Sequence, residues 1–162
     1  MRNELVHICK SAAITTLVEP RNLIDSNERP ADFLIYYSWR SGKDVCVDVS
    51  IADSFAAPDN NPMKIIHDRV EAKNNKYLVA CRQKGLSFIP FVCGSLGGFG
   101  ADADSLMKDI GQAYAEVKGF SRSQGIKYVR QRVSVALQRT QARFLVRRVY
   151  DDDIGFRRLT FQ

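Results

Sequence analysis

Histidine is almost missing from this sequence, and its two copies, His7 and His67, stand alone. They give no basis for a histidine-centred site. Cysteine is little more frequent. Cys9, Cys46, Cys81 and Cys93 are widely spaced, with neither the ligand spacing of a zinc site nor the density of a small secreted scaffold. Most have apolar neighbours, so they read as buried free thiols in a reducing compartment. No nucleophilic Ser or Cys triad is visible. No apolar run approaches the roughly 18 residues that span a bilayer. Met1 to Lys10 mixes Arg2, Glu4 and His7 and lacks the apolar centre of a secretory signal. The expectation is an intracellular protein, nuclear in a eukaryote, with no membrane partner.

What is present suits one globular unit. A chain of 162 residues, 45% hydrophobic and 26% charged, can bury a real core, and residues 1–162 read as a single domain. The net charge of +6 is unevenly spread. Residues 118–150 carry nine basic side chains and no Asp or Glu, while the other 15 Lys and Arg face 18 acids. All the positive excess therefore lies in one segment, which points to a polyanionic partner, nucleic acid before acidic membrane.

Periodicity orders the elements. Leu5, Val6, Ile8, Cys9, Ala12 and Ala13 recur at helical spacing from Arg2 to Ala13. Ile14 to Val18 is a short β-branched strand stopped by Pro20, and a polar loop runs from Asn22 to Pro30. Phe33 to Tyr37 and Val45 to Ile51 are strands joined by the turn Ser41-Gly42-Lys43-Asp44, which makes a hairpin. After a Pro- and Asn-rich loop, Ala56 to Pro62, a helix carries Ile66, Val70, Lys73, Tyr77 and Cys81, with Gly85 as its stop. Leu86 to Cys93 is a strand in which Pro90 favours an edge or a bulge. A glycine-rich loop, Gly94 to Gly100, precedes a helix from Asp102 to Lys118, capped by Asp102 or Asp104. A last, basic helix runs from about Ser123 to Val149, within residues 121–150. The order α-β-β-β-α-β-α-α predicts an α/β (α+β) fold, a mixed four-stranded sheet flanked by helices.

Two acids bear on chemistry. Asp32 opens the second strand after Arg29-Pro30-Ala31, and Asp48 stands inside the apolar strand Cys46-Val47-Asp48-Val49-Ser50. A buried carboxylate needs a cation, a metal or a donor beside it. A hairpin can bring the two acids together, where a hard cation such as Mg²⁺ would relieve their repulsion. The alternative is that Asp32 caps a turn and Asp48 faces solvent. The following helix adds Glu71, Lys73 and Lys76. A lysine beside a carboxylate-bound metal can orient water and stabilise charge on a phosphoryl oxygen; equally, such residues line any solvated helix face.

Taken in order, Leu17-Val18-Glu19-Pro20-Arg21, Arg29-Pro30-Ala31-Asp32, Val47-Asp48-Val49 and Lys73-Asn74-Asn75-Lys76-Tyr77 resemble the restriction-like endonuclease domain of site-specific non-LTR retrotransposons. That domain is a branch of the PD-(D/E)XK nuclease superfamily. The resemblance covers roughly Ile14 to Tyr77. It implies Mg²⁺-dependent hydrolysis of a DNA phosphodiester, with Mn²⁺ as a substitute metal, by either a stand-alone protein or a domain of a larger mobile-element protein. Asp32 would be the first motif acid and Asp48 the second, both metal ligands. Glu19 either joins them, as an early glutamate does in related junction resolvases, or has a surface role. Two features depart from the pattern: Ala31 is inserted between Pro30 and Asp32, and Ser50 occupies the lysine position. Either Glu71-Ala72-Lys73 is the acid-x-lysine motif, or the lysine has moved to the helix as Lys73 or Lys76. The motif belongs on a strand and residues 65–81 read as a helix, so migration is favoured. Lys73, on the side of Ile66, Val70 and Tyr77, comes before Lys76.

On the last helix Arg132, Arg139, Arg143 and Arg147 share one face, beside a stripe of Val129, Val133, Leu137, Thr140 and Phe144. One side can pack while the other offers arginines to DNA phosphates. The glycine-rich loop matches no nucleotide-binding fingerprint and reads as a tight turn rather than a phosphate cradle. Tyr36, Tyr37 and Trp39 suit core packing or hairpin support better than base contacts. Cutting both strands of a duplex generally takes two active sites, which is where a homodimer would enter. The competing function is a DNA-binding or assembly module that keeps the fold without cleavage.

Overall fold

The computed structural model describes residues 1–24, 29–36, 42–54 and 61–159, with side chains up to residue 147. The elements are α1 (Arg2–Ser11), β1 (Thr16–Val18), β2 (Phe33–Ile35), β3 (Val45–Ala52), α2 (Pro62–Gln83), β4 (Ser87–Gly94), α3 (Ala101–Lys118) and α4 (Arg122–Leu159). Their order is the expected one. Tyr37, Trp39 and most of the 56–62 loop lie outside the described residues.

The sheet runs β1-β2-β3-β4; its first two pairings are antiparallel and β3–β4 is parallel. Pro90 is accommodated because β4 is an edge strand, where a missing N–H leaves no ladder bond unmade. Alternation along each strand sorts the side chains into layers. Phe33, Ile35, Val45, Val47 and Phe91 face α1, α3 and α4 in the main core. Leu34, Cys46 and Phe88 face α2, where Tyr77 and Cys81 meet them.

The start of α2 is earlier than the periodicity from Ile66 suggests. Asn61 is its cap, accepting from the amides of Met63 (3.1 Å) and Lys64 (3.4 Å), and Pro62 occupies the first turn. The expected aspartate cap of α3 is corrected: the cap is Gly100, without a side-chain bond. Asp102 and Asp104 lie in the first turn instead, where their charge complements the helix dipole. Asp104 also pairs with Arg130 of α4 and, at 2.9 Å, with Lys108.

The long helix needs a larger correction. Val129, Val133 and Leu137 are fully buried, but Phe144, expected on the same packed stripe, is 60% exposed. At about 1.5 Å per residue the 38-residue α4 is roughly 57 Å long and the 18-residue α3 roughly 27 Å. The second half of α4 therefore outruns the helix it packs on. Where they do cross, Gly111 of α3 meets Gly125 of α4. A Cβ on Gly125 would stand 2.2 Å from the Gly111 carbonyl oxygen.

All four cysteines are free and buried. Burial pushes the thiols of Cys9 and Cys93 up to about 12 and raises those of Cys46 and Cys81. Thiolate is the reactive form. A colorimetric thiol titration at pH 8 is expected to find the native protein inert and all four thiols reactive in denaturant. A fast-reacting thiol in the native state would contradict this packing.

Candidate active site

Asp32 and Asp48 are brought together by backbone pairing. The β2–β3 register sets Phe33 opposite Val47, so one further residue sets Asp32 opposite Asp48. There the ladder shifts. The Asp32 amide donates to the Val47 carbonyl (2.9 Å), and its carboxylate Oδ2 accepts from the Val49 amide (2.7 Å). Val47 and Val49 flank Asp48, so Asp32 is bonded across the stretch of strand that carries the second acid. Ala31 and Leu34 pack in the same α2-side cluster, a spacing that strict alternation would not allow. The local slip absorbs the residue inserted between Pro30 and Asp32.

Asp48 shares its parity with Cys46 and points to the α2 side of the sheet. It is only 9% exposed, which rules out a solvent-facing role. Lys73 reaches it from α2, its ammonium contacting Asp48 Oδ2. Burial raises the Asp48 carboxyl above its ordinary value; the Lys73 contact pulls it back, the negative charge of Asp32 adds to the rise, and Lys76 opposes it more weakly. Two carboxylates and a lysine thus share one partly desolvated patch.

Lys73 reaches this patch because Ile66 and Tyr77 bury the same side of α2. Lys76 is exposed, with its ammonium 4.9 Å from the Tyr77 ring centre. Glu71 is exposed as well, two residues and so about 200° around the helix from Lys73. Since Glu71-Ala72-Lys73 lies within a helix, it is not a strand-borne acid-x-lysine motif, and Glu71 is not brought to the acids. Ser50, on the same face of β3 as Asp48, keeps its hydroxyl buried without a hydrogen-bond partner among the described residues.

Glu19 extends the row, since β1 pairs Val18 with Phe33 and the Glu19 amide donates to the Asp32 carbonyl (2.9 Å). Its side chain turns elsewhere. It is exposed and paired with Arg2, whose hydrogen bond and charge hold the carboxyl below its ordinary value. Among the described residues no three or more His, Cys, Asp or Glu side chains form a metal-binding group.

Arg139, Arg143 and Arg147 are exposed along α4. Arg132 is committed to the fold: its Nε donates to Glu4 Oε1 at 2.6 Å, and its guanidinium lies 5.8 Å from the Tyr128 ring centre. The glycine-rich loop is structural. Its amides at Gly94, Ser95, Leu96, Gly97 and Gly100 donate to Gly98, Ala52, Ser54, Gly94 and Val92, so they do not form an open phosphate cradle.

One feature had no sequence signal. A cavity of about 770 Å³ opens beside Asp32, between β3 and the projecting half of α4. Its walls come from distant segments, including Val49, Ile51, Gln141, Phe144 and Leu145. Among the described residues no helix is long and apolar enough to cross a membrane. No family model matches this chain, and no curated protein matches it.

Proposed function

We propose that the chain is a metal-dependent DNA endonuclease whose centre is Asp32, Asp48 and Lys73. The observation that carries this reading is the contact of Lys73 with Asp48 beside the tethered Asp32. A lysine from a helix thereby occupies the region that a strand lysine at position 50 would serve. The donor set is hard oxygen, which suits Mg²⁺, a cation that binds through one or two carboxylates together with water and substrate phosphate. Asp48 and Asp32 would hold it, with Asp32 Oδ1 available because Oδ2 is taken by Val49. When bound, Mg²⁺ supplies Lewis acidity toward the phosphodiester.

The chain's own groups do the rest. Lys73 orients the attacking water and offsets charge on the phosphoryl oxygen. Its neighbour Asp48 keeps that ammonium in place. Arg139, Arg143 and Arg147 hold the DNA by its phosphates, a contact that positions without reading sequence. Two copies acting on opposite strands would cut a duplex. A plasmid-nicking assay with Mg²⁺ and with EDTA tests the reading. Nicking that needs the metal supports it; binding without nicking favours the alternative, a DNA-binding module without cleavage, for which the serine at position 50 speaks.

Lys73→Ala is expected to slow nicking by on the order of 10²-fold, the scale for losing one charge-stabilising donor. Lys76→Ala should change it only a few-fold, and equal losses would remove the preference for Lys73. Arg139→Ala should weaken binding and lower the slope of log affinity against log salt by about one unit. An unchanged slope takes α4 out of the DNA surface.

A further inference from the structure

We propose that the cavity beside Asp32, on the face of β3 opposite Asp48 and Lys73, receives one unpaired nucleobase of the bound strand. This rests on the nuclease reading and adds a substrate preference to it. The cavity is the wrong environment for phosphates. Among the described residues lining it the one basic side chain is Arg2, already paired with Glu19, while the carboxylate of Asp32 opposes an anion. Its walls suit a flat, weakly polar group instead. Val49 and Ile51 form one side; Phe144 and Leu145, 60% and 63% exposed, form the other. An aromatic ring left open to solvent is a stacking platform for any base.

The remaining polar group has the right chemistry. The Gln141 amide lines the cavity and makes no hydrogen bond among the described residues. A glutamine amide both donates and accepts, which matches the edge of a base. The volume of about 770 Å³ lies within the roughly 300–1,000 Å³ of small-molecule pockets. The phosphate contacts are close by. Arg143 and Arg147 follow Arg139 along the flank of α4 next to the cavity-facing residues, so a strand can rest its backbone on arginines while one base turns inward. An unpaired base enters at less cost than one drawn from an intact duplex.

The test uses the full chain and two oligonucleotide duplexes in EDTA, where nothing is cut. One carries a single unpaired 2-aminopurine; in the other the same base is paired. The wild type is expected to bind the first more tightly and to quench its fluorescence by stacking. Phe144→Ala should abolish the quench and weaken binding of the unpaired duplex by roughly 5- to 100-fold, leaving the paired duplex within two-fold. Gln141→Ala, a second variant at a partly exposed position, should weaken the same duplex selectively. Equal binding of both duplexes by the wild type, or equal losses in the variants, would overturn the inference. Metal-dependent nicking is scored separately. A protein that nicks without discriminating loses only the base site, and one that discriminates without nicking loses only the nuclease reading.

Discussion

Asp48→Asn is expected to abolish Mg²⁺-dependent nicking, by on the order of 10³-fold or more, without unfolding the protein. The loss should exceed the 10–100-fold typical of a residue that acts behind a metal ligand. Stability should move the other way. Because burial raises the folded-state carboxyl of Asp48, the stability it contributes is present at low pH and is lost as pH rises through that raised value. Asparagine has no charge to desolvate and still offers Lys73 an oxygen. The variant should therefore melt at or above the wild-type temperature near neutral pH without metal, and Mg²⁺ should stabilise only the wild type. A variant that cuts at near the wild-type rate would remove Asp48 from the centre.

Gly125→Ala is expected to be the most destabilising small substitution in the chain. The added methyl would stand 2.2 Å from the Gly111 carbonyl oxygen and 2.7 Å from Ala115 Cβ. The first of these is backbone, which cannot swing aside, so α3 and α4 must part. Overpacking generally costs about 1–3 kcal/mol, and this site belongs at the top of that range. For a chain of this size that is roughly 6–12 °C in Tm. Gly119→Ala is the control. Gly119 has a positive φ of 69° but open space around it, so its loss should stay near the roughly 1–2 kcal/mol of left-handed strain. Equal Tm values for the two variants would mean that steric contact between the helices is not the cause.

The features that periodicity governs were readable before the structure. The apolar residues around Asp48 marked its strand while leaving open whether its side chain met solvent, and 3.6-residue spacing put Lys73 on the side of α2 that meets the sheet. Contacts between distant segments were not readable. Within a helix glycine looks like a weakness, and only the crossing of α3 and α4 explains why Gly111 and Gly125 must lack side chains. Counting charge along the chain assigned Arg132 to DNA, but Glu4, its partner, lies 128 residues away. The apolar pattern through Phe144 was correct as a pattern. It could not say that α3 ends too soon to cover it. The cavity beside Asp32 is of the same kind, since no local stretch contains its walls.

The Lys73–Asp48 contact has a consequence for how the protein is made. A small zinc module has no fold until its ion arrives, because the ion's binding energy supplies most of its folding energy. Here the chain carries its own tethered counterion. The lysine neutralises Asp48 as soon as α2 docks on β3, so a newly synthesised chain can reach its final shape with no metal in reach. On the proposed reading the ion is then a latecomer that must compete with an ammonium already in place. It gains its hold most readily when a phosphate arrives with it and gives that ammonium somewhere else to go.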